Sequence, residues 1–349
     1  MSQVRKTFGK KVAVEGIDLV VPEGSLYGFI GPNGAGKTTT IRMIMAILFP
    51  DSGELSVLGR KSAVESKDQI GYLPEERGVY KKMKVASFLK HMAKLKGVSN
   101  DGLHQKVMVW LDRVGLAEVA KKKCEELSKG MQQKVQFICC VLHEPDLLIL
   151  DEPFSGLDPV NMRLLRDLID EQHQAGKTVL FSTHVMPQAE SLCDHIVMIH
   201  NGQKVLDDSL DAIRSRFDPR AVLFEASDGT VNEALAAVGQ LAGVASVRES
   251  REGHEAVLAD GANPQEILRA IVGVGPMNRV ELHRPTLEDV FIEMVSGSSG
   301  ESAEKVRRAL HAEHDGDDEG AGGNSGTLKR DVALDTAFVA GQSLGEALS

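Results

Sequence analysis

The sequence predicts an α/β fold: a mainly parallel sheet with helices on both faces, joined to some antiparallel structure and followed by a small α+β domain. Three observations carry that prediction. Short β-rich apolar runs alternate with segments of helical period. Residues 84–127 are helical in period only, so a helical subdomain interrupts the alternation. After about Ala221 the order becomes strand, helix, strand, strand, helix, strand.

Residues 12–30 hold β-rich runs broken at Pro22-Glu23-Gly24, and Leu26-Tyr27-Gly28-Phe29-Ile30 leads straight into a glycine-rich loop. A helix follows, with Ile41, Ile44, Met45 and Leu48 on one face and Pro50 beyond its end. In the helical stretch, Val85, Phe88, Leu89, Met92 and Leu95 make one stripe; Leu103, Val107, Trp110, Leu111 and Val114 make another. Gly97 and Gly115 close them as C-caps. Ser128 can cap a further helix whose face carries Met131, Val135, Ile138, Cys139 and Leu142, and Pro145 closes it. The strand Leu147-Leu148-Ile149-Leu150 comes next, then a helix around residues 164–175 and a buried strand over 178–182. Residues 196–199 and 203–206 flank Asn201-Gly202, the signature of a hairpin with a type I′ turn. The last folded segment reads strand (222–226), helix (231–240), strands (244–247 and 256–259), helix (264–272) and strand (279–282). That βαββαβ order is ferredoxin-like, and a helix over 286–295 would lock it.

At 349 residues one main domain of about 200 residues with smaller attachments is expected. The longest apolar stretch, residues 41–49, contains Arg42 and is far short of the ~20 residues that span a bilayer. With no secretory leader and no CxxC among Cys124, Cys139, Cys140 and Cys193, a reducing cytoplasm is expected. Of the net charge of −10, half sits in residues 300–349, where ten acidic side chains face five basic ones. No basic stripe suited to nucleic-acid phosphates is present, so nucleic acid is not an expected partner.

Gly31-Pro32-Asn33-Gly34-Ala35-Gly36-Lys37-Thr38 fits G-x-x-x-x-G-K-[ST] between a strand and a helix. In such a loop backbone N–H groups wrap phosphates at the positive end of the following helix. Lys37 would reach the β- and γ-phosphates and Thr38 a Mg2+ ion; Thr39 adjoins them. In Leu147-Leu148-Ile149-Leu150-Asp151-Glu152, two carboxylates stand at the carboxyl edge of a parallel strand, where ligands bind. Asp151 is suited to the Mg2+ shell, and Glu152 to orienting a water for in-line attack on a γ-phosphate.

Leu127-Ser128-Lys129-Gly130-Met131-Gln132-Gln133, just upstream of that strand, resembles the ABC signature, and from about Phe8 to Leu210 the chain resembles the ATP-binding subunit of ABC transporters. The resemblance implies further roles. Asp158 in Ser155-Gly156-Leu157-Asp158 matches the D-loop, and His184 after Phe181-Ser182-Thr183 the switch histidine that touches the γ-phosphate. Phe8 takes the place of the aromatic that stacks on adenine. Ser128 and Gly130 at a helix start would bind anions, although a plain N-cap reads the same; a strand-end histidine and an ordinary strand aromatic are the plain alternatives for His184 and Phe8. Glu75 in Gly71-Tyr72-Leu73-Pro74-Glu75-Glu76-Arg77-Gly78 replaces the family's glutamine, and as a carboxylate it can still approach Mg2+ or its water. The signature reads Ser-Lys-Gly-Met where Ser-Gly-Gly-Gln is usual. The chain also starts too close to Phe8 for the full strand that the family places before this aromatic.

The expected domains are the ATPase domain that the resemblance implies over residues 1–215, with its helical subdomain at about 80–143, the ferredoxin-like accessory domain over 216–297 and, from its Ser, Gly and Asp content, a mostly disordered acidic, glycine-rich tail over 298–349. A short docking helix over 332–338 is a weak feature of that tail. ATP and Mg2+ are the implied cofactors. The implied partners are a second such subunit, identical or a close paralogue, stacked head to tail, and an integral-membrane permease that would hold the chain at the inner face of the membrane. The Gly71–Gly78 run, the Ser128-Lys129-Gly130-Met131 form and Pro285-Thr286-Leu287-Glu288-Asp289-Val290-Phe291 resemble the bacterial exporter subgroup associated with sodium and drug efflux. A soluble ABC ATPase without a transporter, or an ATP-gated assembly switch, is the alternative.

Overall fold

The computed structural model describes residues 1–299 except 62, 77, 217–220, 228–230, 251–252 and 284–285. The expectations for residues 300–349, for Arg77 and for Pro285 lie outside the described residues. The chain forms two compact units, one of Met1–Ser209 with the chain from Met294, the other of Leu210–Glu293.

In the first unit, strands β1 (Ser2–Phe8), β2 (Lys11–Ile17), β3 (Leu26–Ile30) and β4 (Ser52–Glu54) frame helix α1 (Lys37–Ile44). Strand β5 (Ile70–Leu73) precedes α2 (Val85–Leu95), α3 (Leu103–Arg113) and α4 (Lys129–Val141). Strand β6 (Leu147–Asp151), α5 (Pro159–Gln174), β7 (Thr178–Thr183), α6 (Met186–Glu190), β8 (His195–His200) and β9 (Gln203–Ser209) complete it. The main sheet has the order β5-β6-β7-β3-β8-β9, with every pair parallel except β8 with β9. Strands β3, β5, β6 and β7 are buried at every position, which is why β3 and the first four residues of β6 read as unbroken apolar runs. A second, antiparallel sheet has the order β2-β1-β4.

Several sequence expectations change here. A full seven-residue strand, β1, does lead into Phe8, its last residue. Its sequence, Ser-Gln-Val-Arg-Lys-Thr-Phe, carries no clean alternation, and the strand exists through pairing with β2 and β4. Strand β5 has no clear sequence signal because it is only four residues long and contains a glycine. A Cβ on Gly71 would sit 2.2 Å from the Cys140 carbonyl oxygen, so β5 and α4 pack through that missing side chain. Helix α4 buries Gln133, Lys134 and Gln136 beside Val135, Phe137, Ile138 and Cys140, leaving Met131 and Cys139 half-exposed, so the expected single stripe is too narrow. Helix α5 begins at Pro159, ahead of the expected 164, because Asp158 caps it and proline suits its first turn.

The hairpin turn at Asn201 and Gly202 has φ of 49° and 78°, the left-handed pair that a type I′ turn requires. Its Gly202 amide donates to the Ala35 carbonyl at 2.8 Å, while the Glu15 amide donates to the Gly202 carbonyl at 2.8 Å. The turn thereby pins the glycine-rich loop to β2.

The second unit contains α7 (Leu210–Arg216), β10 (Ala221–Ala226), α8 (Val231–Gly239), β11 (Val244–Ser250), β12 (Gly253–Leu258), α9 (Pro264–Val272) and β13 (Met277–His283). Its antiparallel sheet, of order β11-β12-β10-β13, has the ferredoxin-like topology that the βαββαβ order predicts. Val222, Phe224, Val238, Ala256, Ile267 and Ile271 form its core. Helix α10 (Leu287–Ser299) runs four residues past the expected end at Val295, as helix termini follow hydrogen bonding more than composition.

Candidate nucleotide site

The loop between β3 and α1 is shaped by close backbone approach. At Gly36, the N-cap of α1, φ is 111° and a Cβ would lie 2.5 Å from the Ala13 carbonyl oxygen; at Gly31 a Cβ would lie 2.2 Å from the Ile199 carbonyl oxygen. Neither position admits a side chain. Helix α1 starts with no side-chain cap and no acidic residue in its first turn, so its amide end is left for an anion. The Lys37 side chain is only 6% exposed, and its ammonium donates to the carbonyls of Gly31 at 2.6 Å and Pro32 at 3.3 Å.

A cavity of about 390 Å³ opens in front of this loop, lined by Phe8, Lys11, Ala13, Asn33, Gly34, Gly36, Lys37, Thr38, Thr39, Glu75 and Glu152. The structure thus gathers Phe8, most of the loop, Glu75 and Glu152 on one space. Pro32 and Ala35 shape the loop from behind, the Ala35 amide donating to the Pro32 carbonyl at 3.1 Å. Phe8 is 47% exposed, with the Lys6 ammonium 5.7 Å over its ring. Lys6 is itself held by Asp51 at 2.9 Å.

Asp151 and Glu152 leave β6 side by side but meet different surroundings. The Asp151 carboxyl is fully buried; its Oδ1 accepts from the Ser182 hydroxyl at 2.5 Å, and its Oδ2 has no hydrogen bond of ordinary geometry. Burial pushes its pKa up to about 6, helped by the charges of Glu75 and Glu152 and opposed by Ser182 and Thr38. A neighbouring cation would favour the charged form of such a carboxylate. Among the described residues no cluster of three or more His, Cys, Asp or Glu could hold a metal unaided. What is present, one orphaned carboxylate oxygen with Thr38 and Glu75 near it, fits an ion that keeps water and substrate phosphates as its other ligands, as Mg2+ does.

Glu152 has φ of 47°, a left-handed backbone for a residue with a side chain. Its Oε1 lies 2.9 Å from His184 Nδ1 and 3.8 Å from Lys37 Nζ. Carboxylate, imidazole and loop lysine therefore meet at one oxygen. Ser182, to which no sequence motif assigns a role, holds both acids: beyond its bond to Asp151, its hydroxyl and carbonyl oxygens each accept from the Glu152 amide at 3.2 Å. Its register opposite Asp151 on β7 is the signal that could have found it. Lys11 is likewise outside the motifs, although it pairs with Phe8 across the Gly9-Lys10 turn.

Ser128, Gly130 and Asp158 are not among the residues lining this cavity. Ser128 is exposed at the start of α4, its hydroxyl oxygen accepting from the Met131 amide at 3.3 Å. Gly130 is half-buried; a Cβ there would meet Leu157 at 3.4 Å. Asp158 is exposed and spends its carboxylate on α5, accepting from the Val160 and Asn161 amides at 3.0 Å, which lowers its pKa. A cap is thus its work within this chain.

Comparison with known proteins bears on the whole arrangement. Residues 14–155 match the family described as ABC transporter, and residues 209–295 match the C-terminal domain described as ATP-binding protein DrrA1-3-like. The uncharacterized ABC transporter ATP-binding protein YhaQ of Bacillus subtilis is 41% identical over 84% of this chain and 97% of its own length. The linearmycin resistance ATP-binding protein LnrL of the same organism is 30% identical over 83% of this chain and 96% of its own. A solved structure of an ATP-binding subunit of an ABC transporter is 33% identical, with a TM-score of 0.58, over 62% of this chain and 91% of that one. Relatives matched over nearly their full length, on a fold that presents a phosphate loop beside an acidic strand end, make this chain a member of the ATP-binding subunits of ABC transporters.

Proposed function

We propose that this chain hydrolyses Mg-ATP in a head-to-tail pair with a second ABC ATPase subunit, identical or a close paralogue, and thereby drives export through a separate membrane permease. The observation that carries the reading is the meeting of His184 with Glu152 and Lys37, the latter two lining a cavity whose loop is built for phosphates.

In this reading the amides of the Gly31–Thr38 loop and Lys37 hold the β- and γ-phosphates, and the open ring face of Phe8 takes the base. Glu152 orients and polarises the attacking water. His184, with Nδ1 turned to Glu152, offers its other ring nitrogen to the γ-phosphate. Thr38, Asp151 and, through water, Glu75 would hold Mg2+, which when bound spreads the developing phosphate charge. The exposed Ser128 end of α4 lies outside this cavity, so it is free to cover the γ-phosphate of a partner. Asp158 would then act at that interface from its position at the start of α5. No helix of the described residues is long and apolar enough to cross a membrane, which supports a separate permease as the route of transport. LnrL's name records resistance to linearmycin, and that supports export over import.

Phosphate release and ATP-dependent dimerisation test this together. Glu152→Gln should bind ATP, release phosphate very slowly and form a stable dimer; Ser128→Arg should bind ATP without dimerising. Normal turnover in the first variant, or unaltered dimerisation in the second, overturns the corresponding half. Copurification of a multi-spanning protein from native membranes tests the permease.

A further inference from the structure

A residue outside the cavity controls how Glu152 is presented. Glu152 occupies a left-handed backbone, φ 47°, which a side-chain-bearing residue keeps only where its surroundings over-determine it. On the N-terminal side its amide is held by Ser182. On the C-terminal side its own carbonyl accepts from the Ser155 amide at 3.1 Å, and the carbonyl after it, that of Pro153, accepts from Gln133 Nε2 at 3.0 Å. Gln133 is 1% exposed and sits on α4, just over one turn from the Ser128 cap. Without that donor the Pro153 carbonyl would be left buried and unpaired, and the peptide could rotate to satisfy it. Such a rotation changes ψ at Pro153 and φ at Phe154, disturbs the turn in which the Ser155 amide donates to the Glu152 carbonyl at 3.1 Å, and so carries the Glu152 carboxylate away from His184 and Lys37.

We infer that Gln133 is a positioning residue for Glu152, so that the helix starting at Ser128 also sets the geometry of this chain's own water-activating carboxylate. The inference rests on the reading of Glu152 given above. Its consequence is directional: a disturbance at the Ser128 end of α4 reaches Glu152 through one buried side chain.

The test uses the full chain with Gln133→Leu, and with Gln133→Met, which keeps the length and volume but has no donor and carries the test if the leucine variant does not fold. Steady-state hydrolysis, ATP affinity and single-turnover phosphate release are measured in each, alone and combined with Glu152→Gln. The expected result is a fall in kcat of about 10-fold or more with ATP affinity within about 2-fold. In the Glu152→Gln background the substitution should cause no further loss, since a residue acting through Glu152 has nothing left to position. Unchanged kcat, a loss confined to KM, or full additivity with Glu152→Gln overturns the inference. A Glu152→Gln chain that turns over normally instead sinks the reading of Glu152, so the two failures are distinguishable.

Discussion

Replacing Asp151 by asparagine should stabilise the nucleotide-free chain while abolishing its response to Mg-ATP. The carboxyl's pKa stands at about 6 in the fold, against 3.8 for a free side chain, because burial penalises its charged form. The folded chain therefore binds this proton more tightly than the unfolded chain, and the cost appears as pH rises from the lower value through the higher one. Above the folded pKa it reaches about 3 kcal/mol, at roughly 1.36 kcal/mol for each tenfold change in proton affinity. At pH 5 the same relation leaves about half of it. Asparagine keeps an oxygen to accept from Ser182 and places an amide where the unpartnered Oδ2 now sits. Thermal melts at pH 8 and pH 5, with and without Mg-ATP, decide the matter. A domain of about 200 residues gains about 2–4 °C in Tm per kcal/mol, so the variant should melt roughly 6 °C or more above the parent at pH 8. The gain should shrink at pH 5, and Mg-ATP should add little to it. A variant no more stable than the parent at pH 8, or a gain that ignores pH, would refute the reasoning that Asp151 is a buried charge waiting for a cation.

Three further substitutions separate the parts of the site. Phe8→Ala should raise the KM for ATP about 10-fold with kcat nearly unchanged, since base stacking on an aromatic side chain contributes roughly 1–3 kcal/mol and the reacting phosphate is elsewhere; steady-state kinetics over a range of ATP concentrations checks it. Gly36→Ala should cost several times more stability than Gly34→Ala in urea titrations. Both glycines have positive φ, but the added Cβ meets the Ala13 carbonyl at 2.5 Å at Gly36 and open space at Gly34, where the cost stays near ~1 kcal/mol.

Legibility in the sequence followed how local each cause is. The loop from Gly31 to Thr38, the acidic end of β6, the Ser128 cap and the Asn201-Gly202 turn depend on neighbours within a few residues, and the geometry seen at those positions is what their sequences predict. The βαββαβ order was readable for the same reason, although strand ends moved by several residues: β11 runs on to Ser250 and β12 starts at Gly253. Strand β1 was not readable, because its partners lie elsewhere in the chain and its own pattern is weak. At Asp158 two signals competed. The Asp-Pro pair is a helix start, and the capping bonds to Val160 and Asn161 are what the fold makes of it.

The roles of Ser182 and Gln133 are not legible for a different reason. Each lies in a stretch quoted for a neighbour's role, Ser182 before His184 and Gln133 after Ser128, and its own partner is fixed only by packing: Ser182 by strand register against Asp151, Gln133 by the approach of α4 to the turn after β6. What these two residues hold is unfavourable by itself, a fully buried carboxylate and a glutamate with left-handed φ. Both unfavourable features face the phosphate loop, and both are of the kind that a bound cation or a positioned water relieves. The nucleotide-free site is thus less stable than a plain sheet edge would be, by an amount that its ligands can return. Ligand binding and fold stability are therefore coupled through the same two acids, and that coupling is what the Asp151→Asn melts and the Gln133 cycle would measure from opposite sides.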